Sequence, residues 1–118
     1  MTPKEFEKLA VKAIKGLPKF FKEKMRNIVL VTGDRPTAAQ ERAFGGGLLG
    51  LYEGVPLLER GTGYSGAMPD KITIFQRNIE SCCSTAGEVE KEVRDVIMHE
   101  IAHHFGTTDE ELRKKGLY

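Results

Sequence analysis

His99-Glu100-Ile101-Ala102-His103 is the stretch of this chain best equipped for chemistry. On a helix, His99 and His103 stand at i and i+4, so both imidazoles leave the same face about one turn apart. That spacing suits two corners of a tetrahedral zinc site, and Glu100 beside them can act as general base toward a metal-activated water. Gly106 gives the helix a place to stop, and Asp109 is the nearest residue that a returning chain could offer as a third ligand. The pattern points to a zinc-dependent hydrolase. From ordinary residue usage, H-E-x-x-H arises by accident in on the order of one in a few hundred chains of this size. The following Gly106 and Asp109 therefore carry much of the weight.

The third ligand has alternatives. Thr108-Asp109-Glu110-Glu111 also reads as a capping box that opens a last helix, where acids favour the dipole without any metal. Asp109 can ligate while Thr108 caps, and Glu110 and Glu111 are the other candidates. His104 points roughly 100° away from His103, toward a supporting role rather than ligation. A hydrolase of this kind also needs a donor to the developing oxyanion. Tyr52, Tyr64, Tyr118, His104 and Arg77 are all conceivable.

The motif needs a helix to carry it, and the spacing predicts one from about Glu88 to Phe105. Its first half is charged (Glu88, Glu90, Lys91, Glu92, Arg94, Asp95), with Val89 and Val93 facing inward. Its second half is apolar nearly all round, through Val96, Ile97, Met98, Ile101, Ala102 and Phe105, which predicts burial. His99, Glu100, His103 and His104 are then polar groups inside an apolar half-helix. Burying them unpaired costs several kcal/mol, and a bound cation removes most of that cost.

The rest of the chain must supply a platform. Thr2-Pro3-Lys4-Glu5 is a helix start, and Phe6, Leu9, Ala10, Ala13, Ile14 and Leu17 form one apolar stripe after it. Pro18 to Lys24 predicts a short helical turn. Ile28-Val29-Leu30-Val31 reads as a strand buried on both faces. Thr37 to Phe44 is weakly helical, and Gly45-Gly46-Gly47 breaks it. No helix start with Lys and Ser/Thr follows these glycines, so they read as a hinge or a close backbone approach and not as a phosphate loop. Leu48 to Glu53 and Val55 to Glu59 look extended, with Pro56 placing the second at a sheet edge. Gly61 to Gly66 reads as a loop, Lys71 to Arg77 alternates as a half-buried strand, Asn78 to Cys83 suggests a helical turn, and Ser84 to Gly87 a linker. A peptide substrate would pair with an exposed strand, which either Leu48–Glu53 or Ile72–Arg77 could supply.

Composition sets the frame. A chain of 118 residues predicts one domain spanning 1–118, and its 40% hydrophobic and 30% charged content is that of a globular protein. Eighteen basic and 17 acidic side chains leave a net charge of +1, which gives no electrostatic basis for binding nucleic acid or an anionic membrane. No run approaches the ~20 apolar residues of a membrane span. The N-terminus carries charges where a signal peptide needs its apolar region, so the expectation is a cytoplasmic protein. Cys82 and Cys83 are adjacent, a geometry that rarely bridges, and are read as free structural thiols.

With these residues assembled, the chain resembles the small bacterial zincin-like metallopeptidases called minimal zincins. The resemblance rests on His99 to Gly106 with Asp109, supported by Leu48 to Leu57 and by Pro69 to Phe75. It implies an α/β (α+β) fold in which a small mixed sheet packs against an N-terminal helix and the motif helix. It also implies zinc as the metal and the aspartate at Asp109 as third ligand. The function expected is peptide-bond hydrolysis, with a peptide or unfolded protein as partner. Two alternatives stand beside it: a non-catalytic zinc-binding interaction module, and a zinc-dependent hydrolase of another class.

Overall fold

Thr2 starts the first helix by the expected capping box. Its hydroxyl accepts from the backbone N–H of Glu5 at 3.1 Å, and the Glu5 carboxylate accepts from the N–H of Thr2 at 3.1 Å. A computed structural model of the protein describes residues 1–54 and 69–105. In chain order the elements are α1 (Pro3–Lys15), α2 (Lys19–Lys24), a 3-10 turn (Met25–Asn27), β1 (Ile28–Gly33), α3 (Ala38–Phe44), β2 (Gly50–Glu53), β3 (Asp70–Phe75), α4 (Gln76–Ser81) and α5 (Ala86–His104). Helices and a small mixed sheet make this an α+β fold.

Among the described residues the sheet has three strands in the order β1-β3-β2. β1 runs parallel to β3 and β2 antiparallel to it, with Leu30 and Tyr52 both opposite Ile72, and Gly50 opposite Ile74. Because side chains alternate along a strand, Ile28, Leu30, Ile72 and Ile74 share one face, and both long helices pack there. Phe6, Ala10 and Ala13 of α1 meet Val89, Val93 and Ile97 of α5 in one buried cluster with Ile72 and Ile74. The small side chains at Ala10 and Ala13 let the two helices approach closely. Leu17 and Phe21 close the end of this core.

Three expectations change here. Among the described residues β1 is an edge strand, and Val29 and Val31 are exposed on the face away from the helices, so it is not buried on both faces. The strand beginning at Asp70 ends at Phe75, because Gln76 already starts α4. Gln76 is buried with its amide donating to the Met1 carbonyl (2.8 Å) and to Glu80 (3.1 Å). Ser84 to Gly87 is no linker, since Thr85 caps α5 from within it. Among the described residues no helix is long and apolar enough to cross a membrane. The expected second extended piece, Val55 to Glu59, and the loop from Gly61 to Gly66 lie outside the described residues.

Candidate metal centre and active-site cleft

Helix α5 begins with a second capping box: Thr85 accepts from the N–H of Glu88 at 3.1 Å, and Glu88 accepts from the N–H of Thr85 at 3.3 Å. From there its 3.6-residue period sorts the side chains. Val89, Val93, Ile97 and Ile101 turn into the core. Glu92, Val96, His99, Glu100 and His103 instead line cavities on the side where β2 passes.

Gly50 explains how close that passage is. It is buried, and a Cβ on it would lie 2.5 Å from Cγ1 of Val96 and 3.3 Å from the carbonyl oxygen of Thr73. Only glycine lets the β2 backbone rest on the helix at this point. The close contact brings the backbone N–H of Tyr52 within hydrogen-bonding reach of the Glu100 carboxylate. Glu100 is half-buried, and burial pushes its carboxyl above the usual carboxylate range. His103, the Tyr52 N–H and His99 pull against that shift by favouring the charged form. A half-buried carboxylate whose proton affinity is raised by burial is suited to accept and return a proton.

His99 is half-buried and His103 exposed, with ring centroids 6.2 Å apart and ring planes at 65°. The donor set and spacing can be tested against zinc. An ion about 2.0–2.1 Å from a ring nitrogen lies ~3.2 Å from that ring's centroid, so one ion can bridge centroids up to ~6.4 Å apart. The observed separation is inside that reach and about 1 Å wider than a tetrahedral pair. The two imidazoles therefore fit. Among the described residues no third donor completes a metal-holding group. Asp109, Glu110 and Glu111 lie outside the described residues, as does Gly106.

His104 turns away from His103 and onto β2 and β3. Its ring stacks on Tyr52 at 3.9 Å and 14°, and its Nε2 lies 3.8 Å from Oδ2 of Asp70. The same Oδ2 accepts the Tyr52 hydroxyl at 2.6 Å. Asp70 thus ties the last turn of α5 to β2 and β3 directly beside His103. The sequence marked Asp70 only as a turn residue; its role depends on a strand register that one sequence does not reveal.

The oxyanion candidates separate accordingly. The Tyr52 hydroxyl is committed to Asp70. Arg77 pairs with Asp34 at 3.0 Å and lines neither cavity beside Glu100. Tyr64 and Tyr118 lie outside the described residues. The motif's surroundings also differ from the fully buried half-helix expected: His103, His104 and Phe105 are exposed, and Lys24 stands 4.6 Å over the Phe105 ring. The polar groups face a cleft because, among the described residues, β2 leaves that side of the helix open.

Two cavities, about 390 and 450 Å³, meet at Glu100. Gly50, Leu48 and Phe44 border both, Tyr52, His103 and His104 line the first, and Gly46, Gly47, Leu49, Val96 and Glu92 line the second. Gly45 and Gly47 have φ of 91° and 76°, values that favour glycine, so the triple glycine is the turn that brings the chain from α3 onto the cleft wall. A larger cavity of about 500 Å³ between α1 and β1 is remote from the motif, and its one ionisable side chain, Glu7, accepts from Thr32. Chemistry favours the smaller pair. Cys82 and Cys83 are both free, as expected, and burial pushes the Cys83 thiol up, helped by the Glu92 carboxylate.

A sequence model of the zincin-like metallopeptidase family matches residues 25–117. The chain belongs to that family. A comparison with curated proteins gives no match. The family match contains the whole motif and every strand, and starts after α1, whose contribution is to the core.

Proposed function

We propose that the protein is a zinc-dependent metallopeptidase acting on short or unfolded peptides. His99 and His103 hold the ion, with Asp109 as third ligand and Glu110 or Glu111 as its alternatives. Glu100 is the general base. The observation that carries this reading is Glu100 itself: a half-buried carboxylate on the ridge between two histidines, raised in proton affinity by burial, at the junction of two cavities. Zinc, when bound, supplies Lewis acidity and lowers the pKa of water toward neutrality.

Glu100 accepts a proton from the attacking water at its carboxylate and passes it to the departing amine. The Tyr52 N–H keeps that carboxylate directed, and the Asp70–Tyr52–His104 cluster holds the end of α5 that bears His103. Among the described residues β2 has a partner on one side only. Its other edge can pair with an extended peptide backbone. Only a chain without its own backbone partners can do this, hence short or unfolded substrates.

Metal content and peptide cleavage of the wild type beside Glu100→Ala test the reading. Zinc retained by both, with cleavage lost in the variant, is the expected result. Zinc without hydrolysis of any peptide in a library would favour a non-catalytic module. Absence of stoichiometric metal in protein never exposed to chelator would sink both.

A further inference from the structure

Glu92 is the ionisable residue of the cleft for which hydrolysis has no use. It sits on the same ridge of α5 as Glu100, two turns and about 12 Å earlier along the axis. It is half-buried and lines the 450 Å³ cavity together with Val96, Leu48, Leu49 and Phe44. The cations nearest it in sequence are engaged elsewhere: Lys91 with Asp95 at 3.0 Å and Arg94 with Glu90 at 2.8 Å. Among the described residues no cation pairs with Glu92. The cavity therefore offers an apolar wall leading from Glu100 to a carboxylate that, among the described residues, is in no ion pair. That is the shape of a long aliphatic stem ending in a positive charge.

We infer that Glu92 forms a specificity subsite for a lysine or arginine side chain of the peptide substrate. The inference rests on reading the cleft as a peptide-binding site. An extended peptide advances ~3.4 Å per residue, so a basic side chain two or three positions from the scissile bond reaches Glu92 while its backbone lies along β2. Arginine has a further advantage, since its guanidinium can lie against the exposed ring of Phe44.

The test uses blocked fluorescent peptides that carry arginine, norleucine or glutamate at successive positions. Cleavage is measured with the zinc-loaded wild type, and affinity with zinc-loaded Glu100→Gln, which reads binding without turnover. Arginine should be favoured over norleucine about fivefold at one fixed position. Adding Glu92→Gln should remove that preference while leaving the norleucine peptide unchanged, which also reports that the variant is folded. Glu92→Lys should turn the preference toward glutamate. An arginine preference that survives Glu92→Gln, or none in the wild type, overturns the subsite even where Glu100-dependent cleavage stands. Glu92-dependent binding of arginine without cleavage of any peptide leaves the subsite intact and overturns the peptidase reading. Binding of no peptide at all overturns both.

Discussion

The two halves of α5 share one inward face and differ on the other. Val89 and Val93 in the first half, and Ile97 and Ile101 in the second, are buried against α1 and the sheet. On the outward side of the first half, Glu90 lies between Arg94 (2.8 Å) and Lys12 (3.4 Å), and Lys91 meets Asp95 (3.0 Å). On the outward side of the second half, His99, Glu100 and His103 face cavities under β2. Glu90, Lys91, Arg94 and Asp95 are thus held in ion pairs, whereas Glu92, His99, Glu100 and His103 line the cleft. The buried stripe runs the whole length of the helix, and the candidate site lies where the other face meets β2.

Substitutions should separate these roles. The largest effect expected is on rate: Glu100→Ala should lower kcat by a factor of about 10²–10⁴ with no loss of thermal stability. A variant that unfolded instead would show that the second half depends on its polar face for structure. On the shared inward face, Ile97→Ala should cost about 2–5 kcal/mol in denaturant unfolding. Val93→Ala, with one methylene fewer to lose, should cost ~0.8 kcal/mol less. A cost confined to one half would break the equivalence of the stripe.

Gly50→Ala tests the contact that makes the halves different. Its Cβ must displace Val96, so overpacking of about 1–3 kcal/mol is expected, together with weaker peptide binding as β2 lifts from Glu100. Tyr52→Phe removes one hydrogen bond to Asp70 and should cost about 0.5–1.5 kcal/mol, visible as a lower melting temperature and weaker zinc retention in equilibrium dialysis. The smallest effect belongs to the first half: Glu90→Gln should cost less than about 1 kcal/mol. That cost should shrink further in high salt and leave cleavage untouched.

Much of the helical framework was legible because caps are local. Thr2 with Glu5 announced α1, and the box of Thr85 with Glu88 was equally present, though the neighbouring Ser84 and Gly87 made it read as a linker. β1 was misjudged for a different reason. Ile28, Val29, Leu30 and Val31 are all apolar, so no alternation reveals which face is open; that is decided by α1 and α5 packing on the face of Ile28 and Leu30, which leaves Val29 and Val31 exposed. Strand order separates the two strands that could offer an edge, since among the described residues β3 lies between β1 and β2.

The sequence by itself determined what depends on one helix period: that His99, Glu100 and His103 leave α5 on one ridge, whatever that ridge meets. Backbone hydrogen bonds four residues apart fix that geometry without reference to the rest of the chain. Only the tertiary structure decided what the ridge faces. The antiparallel register of β2 on β3, and the absence of a side chain at Gly50, bring a strand edge onto Glu100. The same register brings Asp70 to Tyr52 and His104. Such contacts join residues far apart in the chain, and their partners follow from strand order and register, which local spacing does not encode.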